Sequence, residues 1–232
     1  MYNKIMYKRL TFKKGREALR EIINIYGIKE IYLPYYLCDV VRHTAVKEGC
    51  KPIFYHIDDN FFPIYKFPED KYILYPNYWG VNGRNIEKLA KKYPRLIVDN
   101  AHAFYDEPKG FACFNAGHKF GYENSYLWLQ KYGEKDDYAF LYSPEIKRNK
   151  VLRKEIFLKL NEKYKNDNLL DIDTNSNPFI YPFLAETAEV ADELVKILKK
   201  EGKTIYRYWN PLPESYLEYK FFSRLVPIPI EP

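Results

Sequence analysis

The sequence predicts an α/β protein with a three-layer α/β/α architecture, in which helices cover both faces of a mainly parallel sheet. Short apolar segments alternate with segments of helical periodicity over residues 15–142. Several apolar segments end in proline or a carboxylate, as at Pro34, Pro76 and Asp99. Strands that alternate with helices of this length are typical of βαβ units, which place neighbouring strands parallel.

The predicted elements of this region follow one another in order. Helices are indicated by apolar side chains at helical spacing and by a glycine at the stop, as at Gly27 and Gly49. Asn82 or Asn85 can cap the third helix. The predicted helices are 15–26, 39–48 and 85–93. The predicted strands are 30–34, 51–56, 72–75, 95–99, 111–114, 125–129 and 138–142.

From about residue 143 the chain changes character and predicts a small α+β C-terminal domain. The elements expected there are a charged helix over 145–164, a loop rich in Asp and Asn over 166–177, a strand over 179–184, a helix over 187–200 and a strand over 204–208. The last residues contain prolines that exclude a helix, so we expect an extended tail. The expected division is a large domain over 1–142, a helical connection over 143–177 and a small domain over 178–232.

Composition restricts the class of function. Hydrophobic residues make up 47% of the chain, which is enough for a packed core. The net charge of +6 is spread along the sequence without a basic motif, so we expect no nucleic-acid partner, although an anionic small-molecule substrate is favoured. No segment approaches the roughly 20 apolar residues of a membrane span. The three cysteines lack paired metal-binding spacing and no secretory signal precedes them, which predicts no metal and a cytoplasmic location.

Three features point to one kind of chemistry. Lys119 lies beside small residues in a turn, where its amine can form a Schiff base with an aldehyde cofactor. Asp99 ends a predicted strand, where a carboxylate can pair with a protonated pyridine nitrogen. Gly15 and Arg16 open the first helix and would offer free N–H groups, a positive dipole end and a cation to a phosphate. Together they predict a site for pyridoxal 5′-phosphate (PLP).

In this order, the motifs resemble those of the DegT/StrS-type nucleotide-sugar aminotransferases, a family with the type I PLP fold. The resemblance implies a large domain like that of aspartate aminotransferase. The segments that carry it are Gly-Arg-Glu-Ala-Leu at 15–19, Leu-Pro-Tyr-Tyr-Leu-Cys at 33–38, Cys-Lys-Pro-Ile-Phe-Tyr-His-Ile-Asp at 50–58, Tyr-Pro-Asn-Tyr-Trp-Gly at 75–80, Val-Asp-Asn-Ala-His at 98–102 and His-Lys-Phe at 118–120.

The resemblance assigns roles to the individual residues. It places the cofactor on Lys119, the pyridine nitrogen beside Asp99 and the ring hydroxyl beside His102. The cofactor-binding residues that it implies are Lys119, Asp99, His102, Gly15, Arg16, Cys38 and Asn115. Cys38 belongs to the segment that lies over the cofactor ring, and Asn115 stands near the family's usual serine. Trp79 is expected to pack beneath the site.

The resemblance also implies an activity and partners. It predicts a homodimeric aminotransferase that moves an amino group from a donor such as glutamate to a keto-sugar linked to a nucleotide. The pathway implied is amino-sugar or surface-polysaccharide synthesis.

Two other functions stay open at this point. The family is typically longer, and most of the missing chain falls between Lys119 and Phe179, which is consistent with a non-catalytic relative that serves as a binding or assembly module. PLP-dependent sugar dehydratases replace the lysine with histidine, and His118 precedes Lys119 directly. A dehydratase is therefore the other alternative.

Overall fold

Seven strands form one sheet at the centre of the computed structural model, which describes residues 6–131, 143–209 and 211–230. In chain order the strands are β1 (Met6–Phe12), β2 (Glu30–Pro34), β3 (Lys51–Tyr55), β4 (Tyr72–Pro76), β5 (Leu96–Asn100), β6 (Ala112–Asn115) and β7 (Ser125–Lys131). They lie side by side in the order β1-β7-β6-β5-β4-β2-β3. Strand β7 runs antiparallel to both neighbours, whereas β2 to β6 pair in parallel.

Helices cover both faces of this sheet. The helices are α1 (Gly15–Ile25), α2 (Asp39–Lys47), α3 (Gly83–Lys92), α4 (Pro144–Tyr164), α5 (Ala188–Lys200) and α6 (Tyr219–Arg224). Alternate residues of one strand face opposite sides, so Ile31 and Leu33 of β2 pack with α1 and α2, while Tyr32 joins the hydrophobic cluster that contains residues of α3 and α4. The three-layer α/β/α architecture predicted from the sequence is confirmed.

A second, two-stranded sheet lies in the C-terminal part of the chain. Strand β8 (Ile180–Leu184) pairs antiparallel with β9 (Leu225–Pro229), and Pro182 faces Pro227 across the pair. Proline is tolerated here because each strand has a free edge in a sheet of two. Side chains of β8 and β9 belong to the same hydrophobic cluster as residues of the main sheet. The division into domains at residues 142 and 177 remains a prediction.

Some predicted elements differ from the structure. The prediction of a strand over 204–208 is wrong: this segment forms no strand, and the proline-containing tail pairs with β8 instead. Strand β1 and helix α6 were not expected from the sequence. The predicted strand over 138–142 lies outside the described residues. None of the helices in the described ranges is both long enough and apolar enough to cross a bilayer.

The register of the parallel strands brings their carboxyl ends to one edge. Pro76 of β4 lies opposite Asp99 of β5, which in turn lies opposite Phe114 of β6. The chain then turns sharply after β4, where Trp79 has a φ of 57° and Gly80 a φ of 80°. Such edges are where ligands bind in open α/β sheets.

Gly80 is required at this turn by both its backbone conformation and its surroundings. A Cβ at this position would lie 2.5 Å from the carbonyl oxygen of His102 and 3.0 Å from Cα of Pro178. We therefore expect Gly80→Ala to lower the free energy of unfolding by at least about 3 kcal/mol, measured by urea denaturation. Gly27→Ala is the matched control, since Gly27 also has positive φ but nothing within 4 Å. Gly27→Ala should lower the free energy of unfolding by only about 1–2 kcal/mol. An equal decrease in both variants would contradict the steric requirement for glycine at position 80.

Candidate active site

A cavity of about 280 Å³ opens at the carboxyl edge of the sheet, between the strand ends and the first turns of α1 and α2. This volume lies near the lower end of the range for small-molecule sites, roughly 300–1,000 Å³. Six of the seven residues predicted to bind the cofactor line this cavity: Gly15, Arg16, Cys38, Asp99, His102 and Lys119. The parallel sheet thus brings together residues that are widely separated in the sequence.

Asp99 is the next-to-last residue of β5 and places a buried carboxyl group on the cavity wall. Burial raises its pKa to about 6, although a hydrogen bond from the Ala101 N–H and the charge of Lys119 act in the opposite direction. That hydrogen bond, 2.8 Å from the Ala101 nitrogen to Oδ1, fixes the orientation of the carboxyl group. The group is poised to ionise near neutral pH and gains stability from any positive charge placed in the cavity.

Lys119 lies in the turn after β6, and its amine reaches across the cavity to His102. Nζ lies 2.9 Å from Nε2 of the imidazole. Burial lowers the pKa of Lys119, and the negative charge of Asp99 opposes this shift. Burial also lowers the pKa of His102 well below its usual value, and the charge of Lys119 lowers it further. The imidazole is therefore neutral, and its Nε2 shares a hydrogen bond with the Lys119 amine.

Aromatic rings hold the imidazole of His102 in a fixed plane. The centre of the Trp79 ring lies 5.0 Å from the centre of the imidazole, and the two ring planes make an angle of 10°. The corresponding distance and angle are 5.2 Å and 6° for Phe179, and 5.9 Å and 8° for Trp209. Trp79 was expected to pack beneath the site. Phe179 was missed, because it directly precedes strand β8 of the second sheet and its sequence carries no motif that points to this position.

Backbone and amide contacts hold Trp79 in its unusual conformation. The Trp79 carbonyl oxygen accepts a hydrogen bond of 2.8 Å from the Phe179 N–H. Two residues before Trp79 in the chain, the Asn77 Nδ2 donates a hydrogen bond of 3.0 Å to the Asp106 carboxylate. The Asn177 Nδ2 donates to the same carboxylate, also at 3.0 Å. Burial raises the pKa of Asp106, and the hydrogen bond from Asn177 is the largest opposing effect. This group of polar side chains was not found from the sequence.

The other end of the cavity is positively charged. Gly15 at the start of α1 packs so closely on β6 that a Cβ would lie 2.9 Å from the Asn115 carbonyl oxygen. Lys14, Arg16 and His118 surround this helix terminus on the cavity wall. Burial, followed by the charges of Lys119, Lys14 and Arg16, lowers the pKa of His118. A helix N-terminus with adjacent cations is suited to bind a phosphate group.

Two of the predicted residues have surroundings that the sequence did not indicate. Cys38 precedes α2 and lines the cavity, but burial raises its pKa, so the thiol stays protonated at neutral pH. Asn115 does not line the cavity in the described structure. Its side chain turns into the interior, where Oδ1 accepts a hydrogen bond of 2.8 Å from the Tyr126 N–H. The side chain of Asn115 thereby contributes to the β6–β7 contact.

The raised pKa of Asp99 makes the stability of the cofactor-free protein depend on pH. Between roughly pH 4, where an unfolded aspartate titrates, and about pH 6, the folded protein holds a proton that the unfolded chain has released. The free energy of unfolding should therefore fall by up to about 3 kcal/mol as pH rises through this window.

Asp99→Asn should remove this component, which urea denaturation at a series of pH values would measure. Asp171→Asn provides the control, since the Asp171 side chain is 82% exposed. The control variant should keep the fall in stability. The same slope in the Asp99→Asn variant and the wild type would refute the assignment.

The structure resembles solved aminotransferases, although no family model and no curated protein matches the sequence. Spr1654 from Streptococcus pneumoniae, described as a sugar aminotransferase and solved in its PLP form, superposes with a TM-score of 0.72 at 14% identity, covering 97% of this chain and 82% of that one. A DegT DnrJ EryC1 StrS aminotransferase from Brucella abortus superposes with a TM-score of 0.70 at 14% identity, covering 95% of this chain and 80% of that one. PseC from Helicobacter pylori is an aminotransferase involved in the biosynthesis of pseudoaminic acid. It superposes with a TM-score of 0.69 at 15% identity, covering 97% of this chain and 81% of that one. The chain therefore has the fold of the DegT/StrS-type aminotransferases, as predicted.

Proposed function

We propose that this protein is a PLP-dependent aminotransferase that acts on a nucleotide-linked keto-sugar. The observation that carries the proposal is the placement of the Lys119 amine, the Asp99 carboxylate and the N-terminus of α1 around one cavity. The aminotransferase fold of its structural neighbours supports the same reading. The sugar substrate rests on the sequence resemblance and on the sugar aminotransferases among those neighbours.

The cavity fits the cofactor at both of its ends. At one end, Asp99 would face the pyridine nitrogen, where a proton on that nitrogen would stabilise the carboxylate against its desolvation. At the other end, the first turn of α1 would hold the phosphate with its free N–H groups, and Lys14 and Arg16 would add positive charge. His102 also lines the cavity, in contact with Lys119, and would contact the ring hydroxyl.

When bound, PLP would supply an aldehyde group that carries the amino group and a ring that accepts the electron pair released at the substrate carbon. The protein must then move a proton. The Lys119 amine, once free, would take the proton from the substrate carbon as general base and return it on the cofactor side as general acid. Desolvation favours the neutral amine and therefore its action as a base.

The two alternative functions make different demands on the cavity. A dehydratase that uses histidine in place of lysine would need His118 as the reacting group, but His118 is exposed and Lys119 is the residue in contact with the buried His102. A non-catalytic binding module would not need a desolvated amine beside a carboxylate. The contact of Lys119 with His102 therefore favours an aminotransferase.

The proposal includes a homodimer in the cytoplasm, with glutamate or a similar amino acid as donor and a role in amino-sugar or surface-polysaccharide synthesis. These features rest on the resemblance of the sequence motifs.

Substitution of Lys119 tests cofactor attachment. Full-length protein loaded with PLP and reduced with borohydride should carry the label on a tryptic peptide that contains Lys119, identified by mass spectrometry. Lys119→Ala should lose the visible absorbance of the bound cofactor and at least about 100-fold in the rate of amino transfer, since it removes both the attachment point and the general base. Lys91→Ala, on the exposed side of α3, is the control and should retain both. Unchanged absorbance in Lys119→Ala would exclude the assignment.

A single-turnover measurement tests the activity itself. Wild-type protein mixed with excess glutamate should convert its bound cofactor to the amino form, seen as a shift of the absorbance to shorter wavelength with release of one 2-oxo acid per site. Asp99→Ala should slow this conversion by at least about 100-fold, because the ring would lose the carboxylate that stabilises its positive charge. A cofactor that binds but never exchanges its amino group would instead support the binding-module alternative.

A further inference from the structure

The loop between α4 and β8, which is rich in Asp and Asn, brings Phe179 to the site. The Lys154 amine of α4 donates a hydrogen bond of 2.6 Å to the Ser176 carbonyl oxygen, so the loop is attached to the helix just before Asn177. Two residues after Asn177, the ring of Phe179 stacks on the imidazole of His102. The conformation of this loop therefore determines where one of the stacked rings lies.

The Asp106 carboxylate joins this loop to the turn that carries Trp79. Its Oδ1 accepts a hydrogen bond from the Asn177 Nδ2, and its Oδ2 accepts one from the Asn77 Nδ2, both at 3.0 Å. The Asn77 Oδ1 accepts a hydrogen bond of 3.1 Å from the Asn82 N–H, which fixes the orientation of this amide, because a backbone N–H can only donate. The two oxygens of the carboxylate thus bind amide donors from two distant segments of the chain.

Each of the two joined segments supplies one ring that stacks on His102. Trp79 and Phe179 each lie two residues beyond an asparagine that donates to Asp106. The Phe179 N–H also donates to the Trp79 carbonyl oxygen at 2.8 Å, so the segments are joined at two points. A displacement of either segment would move a ring that fixes the plane of the imidazole, and with it the Nε2 atom that lies 2.9 Å from the Lys119 amine.

Asp106 itself lies outside the cavity walls. Within the described part of the chain it lines neither the cofactor cavity nor the cavity of about 590 Å³ that Lys119 also borders. It can therefore act on the reaction only through the two segments that it joins. Hydrogen bonds to a carboxylate are shorter and roughly twice as strong as those between neutral groups, which suits this residue to hold two segments in a fixed relation.

We propose that Asp106 is a positioning residue for Lys119: through the two segments that it joins, it holds the imidazole that contacts the lysine amine. This inference rests on the proposed function, in which the Lys119 amine moves the proton, and adds a residue outside the cavity on which that amine depends. A reacting group displaced by about 1 Å can cost as much as 100-fold in rate. Loosening of the ring stack would also admit water and weaken the desolvation that lowers the pKa of Lys119.

An exchange of side chains between positions 106 and 177 in the full-length protein tests the proposal. Asp106→Asn offers one oxygen and one NH2 group, so it can accept from only one of the two asparagines and faces the other with a second donor. The exchange variant Asp106→Asn/Asn177→Asp restores both hydrogen bonds, since the amide at position 106 accepts from Asn77 and donates to the carboxylate at position 177. It has the same composition and net charge as the wild type.

The first measurement needs no cofactor. Acetylation of Lys119 by acetic anhydride is followed as a function of pH and quantified on the tryptic peptide by mass spectrometry. Asp106→Asn should move the midpoint to higher pH, because water reaches the amine more freely. Below the midpoint, labelling relative to its plateau should therefore fall about threefold or more. The exchange variant should return to the wild-type midpoint.

The second measurement uses the PLP-loaded protein. Asp106→Asn should keep the cofactor absorbance, since Lys119 and Asp99 are unchanged, but it should transfer the amino group of glutamate about tenfold or more slowly. The exchange variant should transfer it within about twofold of the wild-type rate, because the contacts that hold the imidazole are restored.

Asp171→Asn is the matched control, because it makes the same chemical change in the same loop at a side chain that is 82% exposed. It should behave like the wild type in both measurements. If Asp106→Asn does not fold, Asn177→Ala replaces it, since this variant leaves the contact between Asn77 and Asp106 intact. Asn177→Ala should move the Lys119 midpoint in the same direction, and an unchanged midpoint would refute the proposal.

The outcomes separate this inference from the proposed function. If Asp106→Asn lowers only the free energy of unfolding, with the Lys119 midpoint and the transfer rate unchanged, the positioning role is refuted and the proposed function stands. The same holds if the exchange variant fails to restore the midpoint and the rate. If the midpoint moves and returns as expected but the wild type transfers no amino group, the proposed function fails and the control of the Lys119 amine by Asp106 stands.

Discussion

The site depends on the contact between a lysine and a neutral histidine. An ammonium group buried without a partner would be costly, and a charged imidazole next to it would repel it. Burial of His102 disfavours its protonation, so the imidazole forms a hydrogen bond with the Lys119 amine without placing a second positive charge beside it. The amine is thereby held in place, and within the described part of the chain no carboxylate forms an ion pair with it that a reaction would have to break.

This contact requires aromatic packing around the imidazole, and that packing requires an unusual backbone. Trp79, whose ring stacks on His102, lies at a turn with a positive φ, a conformation that costs of order 1–3 kcal/mol for a residue other than glycine. The buried amides around Asp106 and the hydrogen bond from Phe179 to the Trp79 carbonyl oxygen hold the turn. Phe179 directly precedes β8, so the two-stranded sheet helps to place a residue of the site and also belongs to the core.

The sequence predicted those parts of the molecule that are encoded locally. Strands β2 to β7 and helices α1 to α4 show their periodicity in the order of the residues, and Asp99 and Lys119 fall at predicted strand ends or turns. Strand β1 was missed because it is an edge strand with charged residues such as Lys8 and Arg9, so its apolar pattern is weak. The segment 204–208 has the alternation of a strand, but its polar and aromatic face lines a cavity and forms no ladder. Contacts between distant segments, such as Phe179 with His102, depend on tertiary packing and leave no local pattern.

Tyr208 and Trp209, adjacent in the chain, line two different cavities, of which the second has a volume of about 590 Å³ and also borders Lys119. Tyr208 faces the second cavity, and the next residue, Trp209, lines the first, because its φ of 66° turns the backbone between them. A movement of this short piece of chain displaces a ring in each cavity at once. Occupancy of one cavity is therefore expected to alter the free energy of binding in the other, and thermodynamic linkage requires the effect to be equal in both directions.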